Sequence, residues 1–369
     1  MKETVNRNNP YGDDKVMAAC SLFGVMDTSG KRFSGEEAIR AITIMHERSN
    51  GLGGGFAVYG LYPEYRDYYA LHVMYEHPQA QHEADAFFRR HFYQVSAEEV
   101  PTRKTSGVVR PPMVWRYFLE VGEHLPQGES EEDYMVARVM EVNTSIDGAF
   151  VFSSGKDMAV FKGVGYPEAI ARYFRLEEYQ GYLWTAHGRF PTNTPGWWGG
   201  AHPFSLLDWT VVHNGEISSY GTNRRVLEQY GYICTMHTDT EVVAYAVDLL
   251  MRRHRLPVEI AARVLAPPFW EEIDRLSPQE QEMCRTLRQV YPGLLLNGPF
   301  TVLIARRGEM IGLTDRIRLR PLSVGVWGDR LYLSSEESAI RLVCPQVERT
   351  WIPRGGEAVV GRLKAPVVA

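Results

Sequence analysis

The order of elements along the chain predicts an α+β protein, on three observations. Short apolar segments separated by Gly and Asp turns run from residue 300 to 360, the mark of an antiparallel sheet. Residues 241 to 290 are largely helical in pattern, interrupted at Pro267-Pro268 and Pro278. Near the start, the apolar run Cys20-Ser21-Leu22-Phe23-Gly24-Val25-Met26 reads as a buried strand that ends in the turn Asp27-Thr28-Ser29-Gly30.

Each further element follows from local pattern. Over Ser34 to Arg48 the apolar residues Ala38, Ile39, Ile42, Ile44 and Met45 are roughly helically spaced, with Ser34 as N-cap and Glu37 closing a capping box. The glycines 51, 53, 54 and 55 are too dense for a regular element and precede the strand-like Phe56-Ala57-Val58-Tyr59. From Tyr68 to Thr144 the rhythm changes. A strand (69–75), a helix (79–92), a strand (113–121) and a helix (131–142, N-cap Ser130) predict a small α+β unit inserted in the main fold, with 101–112 as an irregular connection. Residues 148–161 suggest a hairpin, Pro167 to Tyr173 a helix, Trp209 to Val212 a strand, and Glu241 to Arg253 a strong helix. The segments 300–305, 310–314, 322–327, 330–334 and 357–360 complete the strands.

Composition narrows the function. With 369 residues, 44% hydrophobic and 23% charged, the chain can bury a sizeable core. A net charge of -5 offers no field for nucleic acid or an anionic membrane surface. No apolar stretch approaches the roughly 18 residues of a membrane span. The four cysteines, Cys20, Cys234, Cys284 and Cys344, are far apart, without a CxxC pair or a nearby His at zinc spacing. No metal site is expected, and reduced thiols in a cytoplasmic compartment are. Residues 1–19 are polar, lack the apolar centre of a secretory signal and read as a disordered leader or a segment removed in maturation. Met17-Ala18-Ala19-Cys20 resembles a lipoprotein cleavage site, but Asp13, Asp14 and Lys15 stand where an apolar segment would have to be.

The densest chemistry lies between His187 and Glu241. His187-Gly188-Arg189-Phe190-Pro191-Thr192-Asn193-Thr194 sets a guanidinium able to grip a carboxylate bidentately beside hydroxyl and amide groups. Ala201-His202-Pro203 follows, and the strand at 209–212 delivers His213-Asn214-Gly215-Glu216 at its end, where side-chain and backbone donors commonly meet a ligand. Thr238-Asp239-Thr240-Glu241 then opens the strong helix. Taken singly, Arg189 could be a surface ion-pair partner, Asn214-Gly215 a turn and Asp239 a helix cap. Cys234, preceded by Ile233, reads as a packed core thiol.

Taken together in this order and spacing, these motifs resemble the class II (N-terminal nucleophile) glutamine amidotransferases, most closely the amidotransferase part of archaeal, separate-subunit glutamate synthases. Further matching text is Arg48 with the glycines after it, Asn297-Gly298-Pro299-Phe300, Asp315-Arg316 to Pro321-Leu322, and Ser334-Ser335-Glu336. The resemblance covers residue 20 to about 363, outside the 68–144 insertion, and assigns 20–369 to one amidotransferase domain. It implies a four-layered αββα sandwich with two antiparallel sheets and Cys20 heading an inner strand. It further implies that the Cys20 thiol attacks glutamine's side-chain amide with its own freed α-amine as base, after autocatalytic processing. Asn214 and the Gly215 N–H would bind the oxyanion, Arg189 and Thr192 the substrate carboxylate, and Asp239 its ammonium. Arg48 would make a weaker substrate contact, because Ser49 follows it where the family has glycine.

The function that follows is a glutaminase subunit releasing glutamate and ammonia for a partner glutamate synthase catalytic subunit. No cofactor is expected on this chain, and FMN and iron–sulfur centres are expected on the partner. Two alternatives stay open: a subunit of N-methylglutamate synthase, with methylamine as acceptor, and a non-catalytic module that senses glutamine.

Overall fold

The unbroken apolar run after Cys20 becomes the strand Ser21–Asp27, buried at every position. In the computed structural model, which describes residues 19–191, 196–236 and 238–364, this strand lies at the middle of a seven-stranded antiparallel sheet. The order is Arg349–Trp351, Ser323–Trp327, Arg330–Ser334, Ser21–Asp27, Leu183–Gly188, Gly54–Tyr59 and Met158–Gly163. A second antiparallel sheet runs Phe204–Leu206, Trp209–Gly215, Phe300–Arg306, Glu309–Thr314 and Val359–Arg362.

The two sheets pack face to face. Phe23, Val212, Leu303, Ala305 and Met310 belong to one core. Gly24 permits the close approach: a Cβ there would lie 2.8 Å from Met310 Sδ and 3.1 Å from Leu303 Cδ1. Tyr59 crosses the gap, its hydroxyl 2.8 Å from Thr210 Oγ1 and within hydrogen-bond distance of the Asp208 and Ala305 carbonyls. Helices Glu36–Thr43, Pro167–Tyr173 and Glu337–Val343 cover the outer face of the seven-stranded sheet. Asp239–Val247 covers the five-stranded sheet, and Tyr220–Gln229 packs against that helix. The result is an α+β sandwich with layers α, β, β, α.

A further four-stranded sheet, ordered Tyr93–Glu99, Met113–Glu120, Tyr69–Tyr75 and Ala149–Ser153, carries helices Pro78–His91 and Glu131–Ser145 and has its own core around Val73, Phe88, Tyr117 and Val142. Ser130 accepts from the Asp133 N–H and so caps the second helix. The connection at 101–112 lies on the main fold, with Arg103 N donating to Tyr173 O and Val109 N to Val164 O.

Several expectations change. Residues 148–161 are not a hairpin. Ala149–Ser153 pairs with Tyr69–Tyr75 and Met158–Gly163 pairs with Gly54–Tyr59, so the link between them crosses from one sheet to another. The fourth strand of the inserted unit therefore lies beyond residue 144. The C-terminal strands, read as one sheet, divide between two, because a local pattern specifies a strand but distant partners choose its sheet. The first helix starts at Glu36 with Gly35, not Ser34, at its N-cap; Ser34 pairs with Gln180 in a short strand, and its Oγ accepts from the Glu36 N–H at 3.2 Å. The helix from Asp239 passes into a π-helical turn at Asp248–Arg253. Tyr93–Glu99 and Arg349–Trp351 were not foreseen: the first is largely exposed and the second is three residues long, so neither carries an apolar signal.

Candidate active site

Cys20 heads the inner strand and is partly exposed, whereas Cys234, Cys284 and Cys344 are buried. Antiparallel pairing of Ser21 with Gly188 brings the end of the neighbouring strand to the cysteine. Gly188 is needed there, because a Cβ would sit 2.4 Å from Ser21 Oγ. Just past that strand, the Phe190 N–H donates to Cys20 Sγ at 3.3 Å. Burial pushes the Cys20 thiol up from its ordinary range, Asp239 adds to the rise, and the Phe190 N–H, Arg189 and Arg320 oppose it. A thiol in this setting is protonated at neutral pH and needs a base to become a nucleophile.

The backbone of Cys20 is held from two sides. Arg48 Nε donates to its carbonyl at 3.2 Å, while Arg48 Nη1 meets Glu336 Oε1 at 3.1 Å. Leu22 N donates to Ser335 Oγ, and Ser335 N to Leu22 O. Arg48, read from sequence as a substrate contact, holds the main chain of Cys20 in this structure. Glu336 and Ser335 had no role assigned, although their motif was visible.

Arg189 follows the strand Leu183–Gly188 and is 7% exposed. Its side chain runs beside two glycines: a Cβ at Gly53 would lie 3.0 Å from its Cδ, and one at Gly200 would lie 3.5 Å from its Nη1. Burial lowers its pKa, and the charges of Cys20 and Asp239 raise it again. Thr192 lies outside the described residues.

The adjoining sheet supplies the other groups. Asn214 is fully buried at the end of Trp209–Gly215, and neither its Oδ1 nor its Nδ2 has a hydrogen-bond partner among the described residues. Such an orphaned amide costs about 1–3 kcal/mol and asks for an explanation. Gly215 has φ +145, and a Cβ there would lie 1.9 Å from Pro299 O, so only glycine fits.

The two sheets meet through imidazoles. His187 Nε2 lies 2.9 Å from the His213 carbonyl and 3.0 Å from His202 Nδ1. Burial holds His187 down at about 3 and His202 well below its ordinary range, so both are neutral. Thr238 caps the helix that begins at Asp239, its side chain accepting from Thr240 N. Asp239 Oδ2 accepts from Ile217 N at 3.0 Å, and Oδ1 lies 3.4 Å from His213 Nδ1. Burial works against the Asp239 carboxylate, but His213 and the Ile217 N–H hold its pKa at about 2. The charges of Cys20, Arg189 and Asp239 act on one another in one site, and Asn214 lies at the end of the strand whose His213 carbonyl meets His187. Among the described residues, no group of three or more His, Cys, Asp or Glu is arranged to hold a metal, and no helix is long and apolar enough to cross a membrane.

In this αββα sandwich a cysteine stands at the mouth of an inner strand and an amide at the end of the facing sheet. Residues 92–233 match the family model of class-II glutamine amidotransferases. The chain is 60% identical to an uncharacterized protein of Archaeoglobus fulgidus over 95% of its own length and 94% of that protein's. It is 26% identical to an amidophosphoribosyltransferase of Methanocaldococcus jannaschii over 51% of this chain, and the match spans 35% of that enzyme. A solved glutamine phosphoribosylpyrophosphate amidotransferase from B. subtilis aligns with TM-score 0.46 and 16% identity, covering 93% of this chain and 47% of that one.

Proposed function

We propose that this domain hydrolyses L-glutamine to glutamate and ammonia through a thioester on Cys20. The observation that carries the reading is the fully buried Asn214 amide on the sheet facing the cysteine strand, which has no hydrogen-bond partner among the described residues. A donor without an acceptor among those residues, fixed before substrate arrives, is what stabilisation of a developing oxyanion requires.

The steps balance without a cofactor. The Cys20 sulfur bonds to the carboxamide carbon as the freed α-amine of residue 20 takes the thiol proton. The C=O electrons move to oxygen, where the Asn214 Nδ2 and Gly215 N–H groups donate. The ammonium formed from the α-amine returns its proton to the leaving nitrogen as the C–N bond breaks, and water then cleaves the thioester. Arg189 and Thr192 hold the α-carboxylate and Asp239 the α-ammonium. This mechanism requires removal of residues 1–19, because the amine is otherwise an amide.

The finer reading is that the ammonia passes to a separate glutamate synthase catalytic subunit that carries FMN and iron–sulfur centres. Its support is that every motif in this chain is read as serving glutamine and none as serving an acceptor. Trp197, 39% exposed beside the substrate segment, is a candidate contact. The test combines intact mass of the active protein with glutamate release, with and without co-purifying protein and 2-oxoglutarate. Full activity in protein that retains residues 1–19 overturns the amine mechanism. Full activity with no partner overturns the synthase reading.

A further inference from the structure

Lys162 is a cation in an otherwise apolar strand, Met158–Gly163, and 1% of its surface is exposed. Its Nζ donates to the Gly199 carbonyl at 2.8 Å and lies 4.6 Å from the centre of the Phe204 ring. A methionine of similar length would fill this space without the cost of desolvating an ammonium. Packing alone therefore does not account for the charge.

The segment that Lys162 reaches is the one that meets the guanidinium of Arg189, since a Cβ at Gly200 would lie 3.5 Å from Arg189 Nη1. Two other contacts hold the same segment. Trp198 Nε1 donates to Val109 O of the 101–112 connection at 2.8 Å, and His202 Nδ1 lies 3.0 Å from His187 Nε2. The segment settles this low because residue 55 is glycine: a Cβ there would lie 2.2 Å from His202 O and 2.7 Å from Lys162 Cβ. Gly55 pairs across the sheet with both His187 and Lys162, so the two pegs stand on either side of one gap.

On the glutaminase reading above, we propose that Lys162 is a positioning residue that fixes the Gly199-Gly200 turn against Arg189 and thereby sets the site's affinity for the α-carboxylate of its amino-acid substrate. The titratable groups facing it are Arg189 beyond the strand Leu183–Gly188, Glu241 from the helix Asp239–Val247, and the neutral His202 from the segment itself. Burial first, and then Arg189, lower Lys162 to about 7, while Glu241 works the other way. A carboxylate docked on Arg189 relieves part of this repulsion, so Lys162 gains proton affinity as the substrate binds. By linkage, the substrate binds more tightly to the protonated form, and affinity falls as pH rises through about 7 and above.

The test measures KM and kcat for glutamine over about pH 6 to 9 in the processed full chain, as wild type, Lys162→Met and Lys162→Gln. Wild-type KM should rise about threefold to tenfold across this range. Lys162→Met should raise KM about tenfold at the acid end, leave kcat within about twofold, and lose the extra pH slope. Lys162→Gln, which keeps a neutral donor for Gly199 O, should recover part of the affinity and none of the slope. A Lys162→Met enzyme with wild-type KM and slope overturns the proposal, as does a wild-type KM independent of pH, which tests it even if neither variant folds. Wild type that neither hydrolyses glutamine nor reacts at Cys20 with a glutamine-like diazoketone overturns instead the glutaminase reading on which the proposal rests.

Discussion

The main-chain N–H of Phe190 points at the Cys20 sulfur from 3.3 Å, across the antiparallel pair that joins the strands Ser21–Asp27 and Leu183–Gly188. A donor on sulfur favours the thiolate, while burial favours the thiol. A glutamine-like electrophile should therefore label Cys20, and Cys20→Ala should abolish glutamine hydrolysis. Cys234 and Cys344 are buried with raised pKa values, Cys234 to about 12, so their alanine variants should keep most activity. Peptide mapping after labelling checks this, and a label on Cys234 would move the nucleophile.

Asn214 should separate catalysis from stability. Asn214→Ala is expected to lower kcat about 100 to 1000-fold with little change in KM. Because its amide lacks a partner among the described residues, the same change should cost less stability than the usual loss of a buried polar side chain. Steady-state kinetics and a melting curve on one preparation measure both. Normal turnover in Asn214→Ala would remove the oxyanion role.

Asp239 predicts an acid-dependent loss of stability with a defined sign. Its carboxyl is held at about 2 in the folded protein, against about 3.9 for an unfolded chain. The ionised form is the one the fold favours, so the contribution, about 2 kcal/mol, is complete above about pH 4 and is lost as pH falls toward 2. The stability gap between wild type and Asp239→Asn should be widest near neutrality and narrow below about pH 4, as read by denaturant midpoints. The same variant should raise KM for glutamine more than it lowers kcat.

Tyr59 ties the two sheets together through one hydroxyl. Tyr59→Phe leaves its buried partners short of one group and should destabilise the domain by about 1–3 kcal/mol without altering KM. An unchanged melting temperature would show that apolar packing alone sets the sheet spacing.

Much of the site was legible because its chemistry is local in the chain. Gly188-Arg189-Phe190, Asn214-Gly215 and Thr238-Asp239 each announce a strand end or a helix start, where side chains project from regular structure. The first strand was equally plain, since burial on both faces demands an unbroken apolar run. Less legible were the groups that work through contacts between distant segments. Glu336 on Arg48, Ser335 on Leu22, and Lys162 on Gly199 link residues 288, 313 and 37 positions apart. Lys162 did leave a trace, a lone charge in Met158–Gly163, but a strand pattern does not say what lies above it.

The sequence by itself determined the α+β class and most of the element types, because these depend on side-chain type and short-range periodicity. Tertiary structure alone decided that the C-terminal strands divide between two sheets and that residues 149–153 join the inserted unit. It also decided that Arg48 holds the Cys20 carbonyl and that Asn214 is buried with no partner among the described residues. The physical reason is the same in each case. A strand's edges bond equally well to any partner of suitable register, and the free energy that selects one comes from the packing of faces that meet only when the whole chain is folded.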